Sequence, residues 1–216
     1  MKNVTIKNAF LLQFLPLLAT LLITLVIGVY SVKWDHTTSE SSLIELCQAG
    51  FMLFASAICF VQRKKSAHLP LIFTILSAFF AVIFIREMDY HIELYFPHGA
   101  WKYPALLIMA LTGVFAWKNR QALVKEINVW INLPQFHTWL LGFLIVFVFS
   151  RLAGMNDFWQ SFLADNYMRD IKNLVEEGLE LLGYALMLNA ALFFVILDPR
   201  VKQSQTVANK TIATHG

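Results

Sequence analysis

The chain has 216 residues, of which 58% are apolar and only 14% are charged. Soluble domains average about 25% charged residues, so this composition excludes an ordinary soluble globular protein and indicates a lipid bilayer as the main partner. The formal net charge is +3, and because the basic residues are spread between apolar segments rather than clustered, the sequence also excludes a nucleic-acid partner.

Six apolar segments follow one another along the chain, and several reach the roughly 20 residues that cross about 30 Å of hydrocarbon. In lipid every backbone polar group must be bonded internally, so the segments are predicted to be helices. We predict an all-α integral membrane fold, a single bundle of about six transmembrane helices within residues 1–202. The segments are 10–30, 43–61, 69–85, 100–117, 137–152 and 179–197.

The connections and the ends give further expectations. The first segment is longer than the roughly 7–15 apolar residues of a signal peptide and is expected to be an uncleaved helix. Stretches 121–133 and 157–173 have amphipathic spacing and are predicted to be interfacial helices. Residues 203–216 are polar and are predicted to form a disordered tail. Gly178 and Gly183 are expected to let another helix approach closely.

The basic residues predict the orientation of the bundle. With the N-terminus inside, eleven lysines and arginines fall on the inner side and six on the outer side. The positive-inside rule then places both termini in the cytoplasm, in a plasma membrane of the bacterial inner-membrane type. Twelve of the 14 acidic residues fall on the outer side, an asymmetry that this rule does not require.

Ionisable and polar side chains from several segments are expected at one depth, near the outer edge of the hydrocarbon. Such residues are costly in lipid and are therefore functional candidates. Two arginines face at least four glutamates there, which leaves negative charge for protons, water or a bound cation. The candidate polar-site residues are Glu45, Arg86, Glu87, Asp89, Arg151, Glu177, Glu180 and Tyr184.

A divalent metal site is one interpretation of this charge. Glu87 and His91 are four residues apart, and Glu177 and Glu180 are three apart, so each pair shares a helix face. Carboxylate and imidazole ligands suit zinc, iron or manganese. An enzyme built on such a site would be a hydrolase acting at the outer leaflet.

Two other interpretations remain open. In the first, the protein is a small proton- or cation-coupled transporter or channel, and Tyr184 and Asn189 continue a polar path inward. Alternatively, it is an accessory subunit of a homo- or hetero-oligomer, and the charges are structural ion pairs. The sequence has no glycine-rich phosphate loop, nucleophile elbow or paired-cysteine metal motif that would decide between enzyme, transporter and subunit.

Overall fold

The computed structural model describes residues 17–19, 21–27, 29–30, 43–161, 164 and 168–194, and the backbone of 162–163 and 195–213. The described residues are almost entirely helical and contain no strand, which confirms the all-α prediction. Of the predicted first segment, residues 17–19, 21–27 and 29–30 are described and helical, and the rest of it lies outside the described residues.

From residue 43 onward the described chain forms a succession of helices. They are α1 (Leu43–Lys65), α2 (Pro70–Glu87), α3 (Asp89–Glu93), α4 (Lys102–Lys118), α5 (Arg120–Trp130), α6 (Pro134–Ala153), α7 (Asn156–Leu163) and α8 (Arg169–Ala213). Helices α1, α2, α6 and residues Arg169–Phe194 of α8 are long and apolar enough to cross a membrane. Helix α4 has 17 residues. At 1.5 Å per residue it is about 25 Å long, slightly less than the hydrocarbon thickness.

The predicted segments from 43–61 to 137–152 lie within a few residues of α1, α2, α4 and α6. The last segment is different, because α8 begins at Arg169, ten residues before the predicted start at 179. The interfacial helix predicted over 157–173 is correspondingly shorter: α7 ends at Leu163, and the backbone turns at Ala164 with a φ of 44°. Where a disordered tail was predicted from residue 203, the backbone is helical to Ala213.

Helix α8 lies at the centre of the bundle, between α1 and α6, and α2 packs along α1. The side chains of Met52, Phe80, Val146, Tyr184 and Met187 are completely buried where these four helices meet. Apolar burial does not by itself hold helices together in lipid, where close packing and interhelical hydrogen bonds matter more. The positions of the small residues and of the hydrogen bonds therefore explain the arrangement.

Two glycines bring the backbones of α6 and α8 together. A Cβ at Gly142 would lie 2.6 Å from the carbonyl oxygen of Gly183, and a Cβ at Gly183 would lie 2.8 Å from that of Gly142. Neither position has space for a side chain, which agrees with the expectation for Gly183. At Gly178 a Cβ would meet no described atom within 4 Å, so none of the described helices approaches closely there.

Two serines join α1 to α2 in the middle of the bundle. The hydroxyl of Ser56 donates to the carbonyl oxygen of Ser77 at 2.9 Å, and the hydroxyl of Ser77 donates to that of Ser56 at 3.0 Å. Hydrogen bonds of this kind contribute roughly 0.6 kcal/mol each on average within membranes. The reciprocal pair therefore fixes the register of the two helices more than it stabilises them.

Glu126 of α5 caps the first turn of α2. The N-cap residue Leu69 has no side-chain oxygen, and Pro70 has no N–H group, so the amides of Leu71 and Ile72 need another acceptor. Both donate to Oε2 of Glu126 at 2.9 Å. Burial raises the pKa of Glu126 above its ordinary value, and the two amide hydrogen bonds oppose that rise. Helix α4 leads from the region after the end of α2 to α5, and α5 contacts the start of α2. Helix α4 must therefore run antiparallel to α2.

Replacing Glu126 by alanine is expected to lower the free energy of unfolding by about 1 kcal/mol, the usual contribution of a helix cap. Glutamine keeps one acceptor oxygen, so Glu126→Gln should lose less. Unfolding of the purified protein by a denaturing detergent would measure both changes. Lys125→Ala is the matched control, since Lys125 is exposed on the same helix. A Glu126→Ala variant as stable as this control would contradict the capping role.

Glu93 closes the connection between α3 and α4. Its carboxylate accepts the backbone N–H of Gly99 at 2.7 Å and bonds to Nδ1 of His98 at 2.6 Å. These two hydrogen bonds hold the pKa of Glu93 below its ordinary value, the bond from Gly99 having the larger effect. Gly99 has a φ of +81°, which favours glycine, so this loop has a defined shape.

Candidate functional site

Four helices contribute polar side chains to one end of the bundle. The contributions come from the start of α1, the ends of α2 and α6, and the first three turns of α8. These side chains line an open cavity of about 450 Å³, within the size range of small-molecule sites, roughly 300–1,000 Å³. The lining residues are Glu45, Arg86, Arg151, Arg169, Asp170, Asn173, Glu176, Glu177 and Glu180.

A π-helical turn in α6 positions two of the side chains at this end. The turn spans Ile145–Phe149, just before Ser150 and Arg151. A π turn contains an extra residue, so it rotates everything after it around the helix axis, and such turns often occur at functional sites. Ser150 is completely buried, and its hydroxyl lies 3.3 Å from Oε1 of Glu180 on α8. Arg151 forms an ion pair with the same oxygen.

The carboxylate of Glu180 is the centre of an ion-pair network that joins three helices. Nη2 of Arg86, from α2, lies 3.8 Å from Oε1 of Glu180, and Arg151, from α6, pairs with the same atom. The Glu180 side chain is only 8% exposed, whereas those of Arg86 and Arg151 are 35% and 46% exposed. The buried carboxylate is thus neutralised by guanidinium groups that also reach the cavity.

Glu87 and Tyr184 form a second polar contact beside the cavity. The buried hydroxyl of Tyr184 donates to Oε1 of Glu87 at 2.7 Å, and Nη2 of Arg86 lies 3.7 Å from that oxygen. On α1, the buried amide of Gln48 donates to the backbone carbonyl of Glu177 at 3.0 Å and attaches α1 to α8. These contacts are structural, since neither Glu87 nor Tyr184 lines the cavity.

The first turns of α8 carry a row of charges that neutralise one another, which we call the paired stripe. It consists of Lys172, Glu176 and Glu180, which are spaced four residues apart and so share a helix face. Nζ of Lys172 lies 3.2 Å from Oε2 of Glu176, and Nη1 of Arg151 lies 3.7 Å from Oε1 of Glu176. The paired stripe therefore holds the helices together and leaves little charge for a ligand.

A second row on α8, the open stripe, consists of Arg169, Asn173 and Glu177. These residues are also four apart, and all three line the cavity. Their side chains make no ion pair or hydrogen bond with any residue that the structure describes. One helix thus carries a neutralised face and an adjacent polar face whose hydrogen-bonding groups remain accessible from the cavity.

The remaining predicted site residues lie elsewhere. Asp89 accepts the backbone N–H of Tyr90 at 2.6 Å at the start of α3, and His91 is exposed. Neither lines the cavity, so the predicted metal ligands Glu87, His91, Glu177 and Glu180 are not brought together. Within the described ranges, no three His, Cys, Asp or Glu side chains lie close enough to hold one metal ion.

Sequence reasoning missed the part of the site that precedes Glu177. Arg169, Asp170 and Asn173 were assigned to an interfacial helix because the sixth segment was predicted to begin at 179. The available signal was the four-residue spacing that runs back from Glu177 through Asn173 to Arg169. The cavity is lined by three arginines and five carboxylates, whereas the sequence predicted two arginines and at least four glutamates at this depth.

No protein-family model, no curated protein and no solved structure matches the chain. The fold by itself defines a class, that of all-helical proteins with helices of membrane-spanning length, four of which lie in the described part of the chain. Interpretation of the site therefore depends on its own geometry and chemistry.

Proposed function

We propose that this protein is a multi-pass membrane protein that binds a ligand bearing a cationic group in the cavity lined by α1, α2, α6 and α8. The observation that carries the proposal is the carboxylate of Glu177, which lines the cavity without a partner among the described residues. A carboxylate at the edge of the hydrocarbon needs water, a proton or a cation to offset its charge. The neighbouring Glu176 and Glu180 already have basic partners.

The arrangement of the helices supports a cavity that opens outward. Helix α4 packs against α2, and the following α5 contacts the first turn of α2, so α4 would accompany α2 across the membrane despite its 17 residues. With the segment at 10–30, this gives six crossings and cytoplasmic termini. The basic end of α1, with Arg63, Lys64 and Lys65, lies at the opposite end from the cavity. The positive-inside rule makes that end cytoplasmic, in a plasma membrane of the bacterial inner-membrane type.

The alternatives have less support from the geometry. A transport path would continue past Tyr184 and Asn189, but both are buried and neither lines the cavity. A purely structural cluster would have every lining glutamate paired, whereas the side chain of Glu177 has no partner within the described chain. Ligand binding is therefore the function that these residues support best.

Binding of a fluorescent primary amine, dansylcadaverine, to the detergent-purified protein tests the proposal. Saturable binding to the wild type is expected, and Glu177→Gln should weaken it at least tenfold, about 1.4 kcal/mol of binding free energy. Glu176→Gln is the matched control, since it removes a neighbouring carboxylate that is already paired, and it should change the affinity far less. Equal affinities of the wild type and Glu177→Gln would disprove cation binding at this site.

A further inference from the structure

Resting on the proposed function, we propose that the ligand is a zwitterion whose ammonium group binds Glu177 and whose carboxylate or phosphate binds Arg169. The open stripe supplies both charges on one wall of the cavity. Asn173, between them, offers an amide that can donate to or accept from the ligand. The ligand thus carries an anionic group in addition to the cationic group already proposed.

The order of the open stripe gives the ligand a direction. Arg169 is the first residue of α8, and Glu177 lies eight residues further along the helix. At 1.5 Å per residue this is a rise of about 12 Å. The two side chains form no ion pair in the described structure, and a small ligand between them can contact both. The ammonium end of the ligand therefore enters first, and its anionic end remains at the outer rim.

The cavity as a whole favours a ligand with both charges over a simple cation. Three guanidinium groups line it together with five carboxylates. A ligand that is only cationic would leave Arg169 unused and would be repelled by it. A planar guanidinium binds carboxylate and phosphate through two parallel hydrogen bonds, so an anionic group on the ligand converts this repulsion into attraction.

This chemistry has two possible sources at the edge of a membrane. One is the headgroup of an aminophospholipid that enters laterally, and the other is a small water-soluble zwitterion such as an amino acid or a phosphorylated aminoalcohol. Both present a primary ammonium joined to an anionic group by a short carbon linker. Competition by soluble amines and by lipid nanodiscs distinguishes these two sources.

The test compares ethylamine with O-phosphoethanolamine as competitors of dansylcadaverine on the full-length wild-type protein. We expect O-phosphoethanolamine to displace the dye at a concentration at least tenfold lower than ethylamine. Arg169→Gln should abolish this preference, and Glu177→Gln should weaken both competitors. Lys172→Gln, which removes a basic residue from the paired stripe, should leave the preference unchanged.

The outcomes distinguish this inference from the proposed function. Competition by both amines that requires Glu177 but shows no preference dependent on Arg169 would overturn the zwitterion and leave cation binding in place. Dye binding that is insensitive to Glu177 would overturn both. If the preference is found, dye binding is then compared in phosphatidylethanolamine and phosphatidylcholine nanodiscs. Loss of dye binding only in the phosphatidylethanolamine nanodiscs assigns the site to a lipid headgroup. Equal dye binding in both assigns it to a soluble zwitterion.

Discussion

Replacing Gly183 by alanine is expected to lower the free energy of unfolding by about 1–3 kcal/mol, the usual cost of overpacking a tight interface. The new Cβ would overlap the side chain of Val146 and lie 2.8 Å from the carbonyl oxygen of Gly142. A backbone oxygen cannot rotate away as a side chain can, so α6 and α8 must separate. Unfolding by a denaturing detergent, followed by circular dichroism, measures the change.

Gly178→Ala provides the matched control on the same helix. A Cβ at Gly178 meets no atom of the described residues within 4 Å, and alanine favours a helix over glycine by about 1 kcal/mol, so this variant should be at least as stable as the wild type. The prediction for Gly183 therefore concerns the difference between two identical substitutions five residues apart. Equal stabilities of the two variants would show that α6 and α8 do not approach each other at this point.

Replacing Glu180 by glutamine should destabilise the protein by roughly 1–3 kcal/mol. Removing one partner of a fully buried ion pair costs about 3–5 kcal/mol. The expected loss is smaller here because Arg86 and Arg151 are partly exposed and water screens them. Without the carboxylate, two guanidinium groups repel each other between α2 and α6. The same detergent unfolding measures the loss.

A second substitution tests whether the loss comes from charge. Arg151→Met removes one of the two guanidinium groups, so the double variant with Glu180→Gln should recover part of the stability lost by Glu180→Gln alone. The double-mutant cycle gives the coupling between the two residues. Glu176→Gln is the control for a more exposed carboxylate and should cost less than about 1 kcal/mol. Additive effects of Glu180→Gln and Arg151→Met would rule out the network as a source of stability.

Much of the fold follows from apolar length and loop charge. The helices of the bundle are long uninterrupted apolar runs, and Pro70 and Pro134 lie in the first turns of α2 and α6, so most of their ends were placed within a few residues. The start of α8 was not placed within a few residues, because its first turns are polar and resemble an interfacial segment. In the structure these turns form an ion pair with Arg151 of α6, a contact between two helices that the order of residues along the chain does not reveal.

The candidate site was predictable only in part, for a related reason. Depth along the helices predicted one group of polar residues, and five of them line the cavity: Glu45, Arg86, Arg151, Glu177 and Glu180. Which of them are neutralised depends on rotation around each helix axis. The π turn over Ile145–Phe149 sets that rotation for Ser150 and Arg151, and its five apolar residues carry no pattern that distinguishes it from an α-helix. Whether the site binds a ligand stays a prediction.

The two faces of α8 should also respond differently to mutation over evolutionary time. A change at Lys172, Glu176 or Glu180 disturbs partners on the same helix or on α2 and α6, so such changes are tolerated mainly in compensating combinations. The side chains of Arg169, Asn173 and Glu177 form no ion pair or hydrogen bond within the described structure and can be exchanged one at a time. A bundle built in this way can acquire a new ligand preference through single substitutions while its stability is maintained by the adjacent face of the same helix.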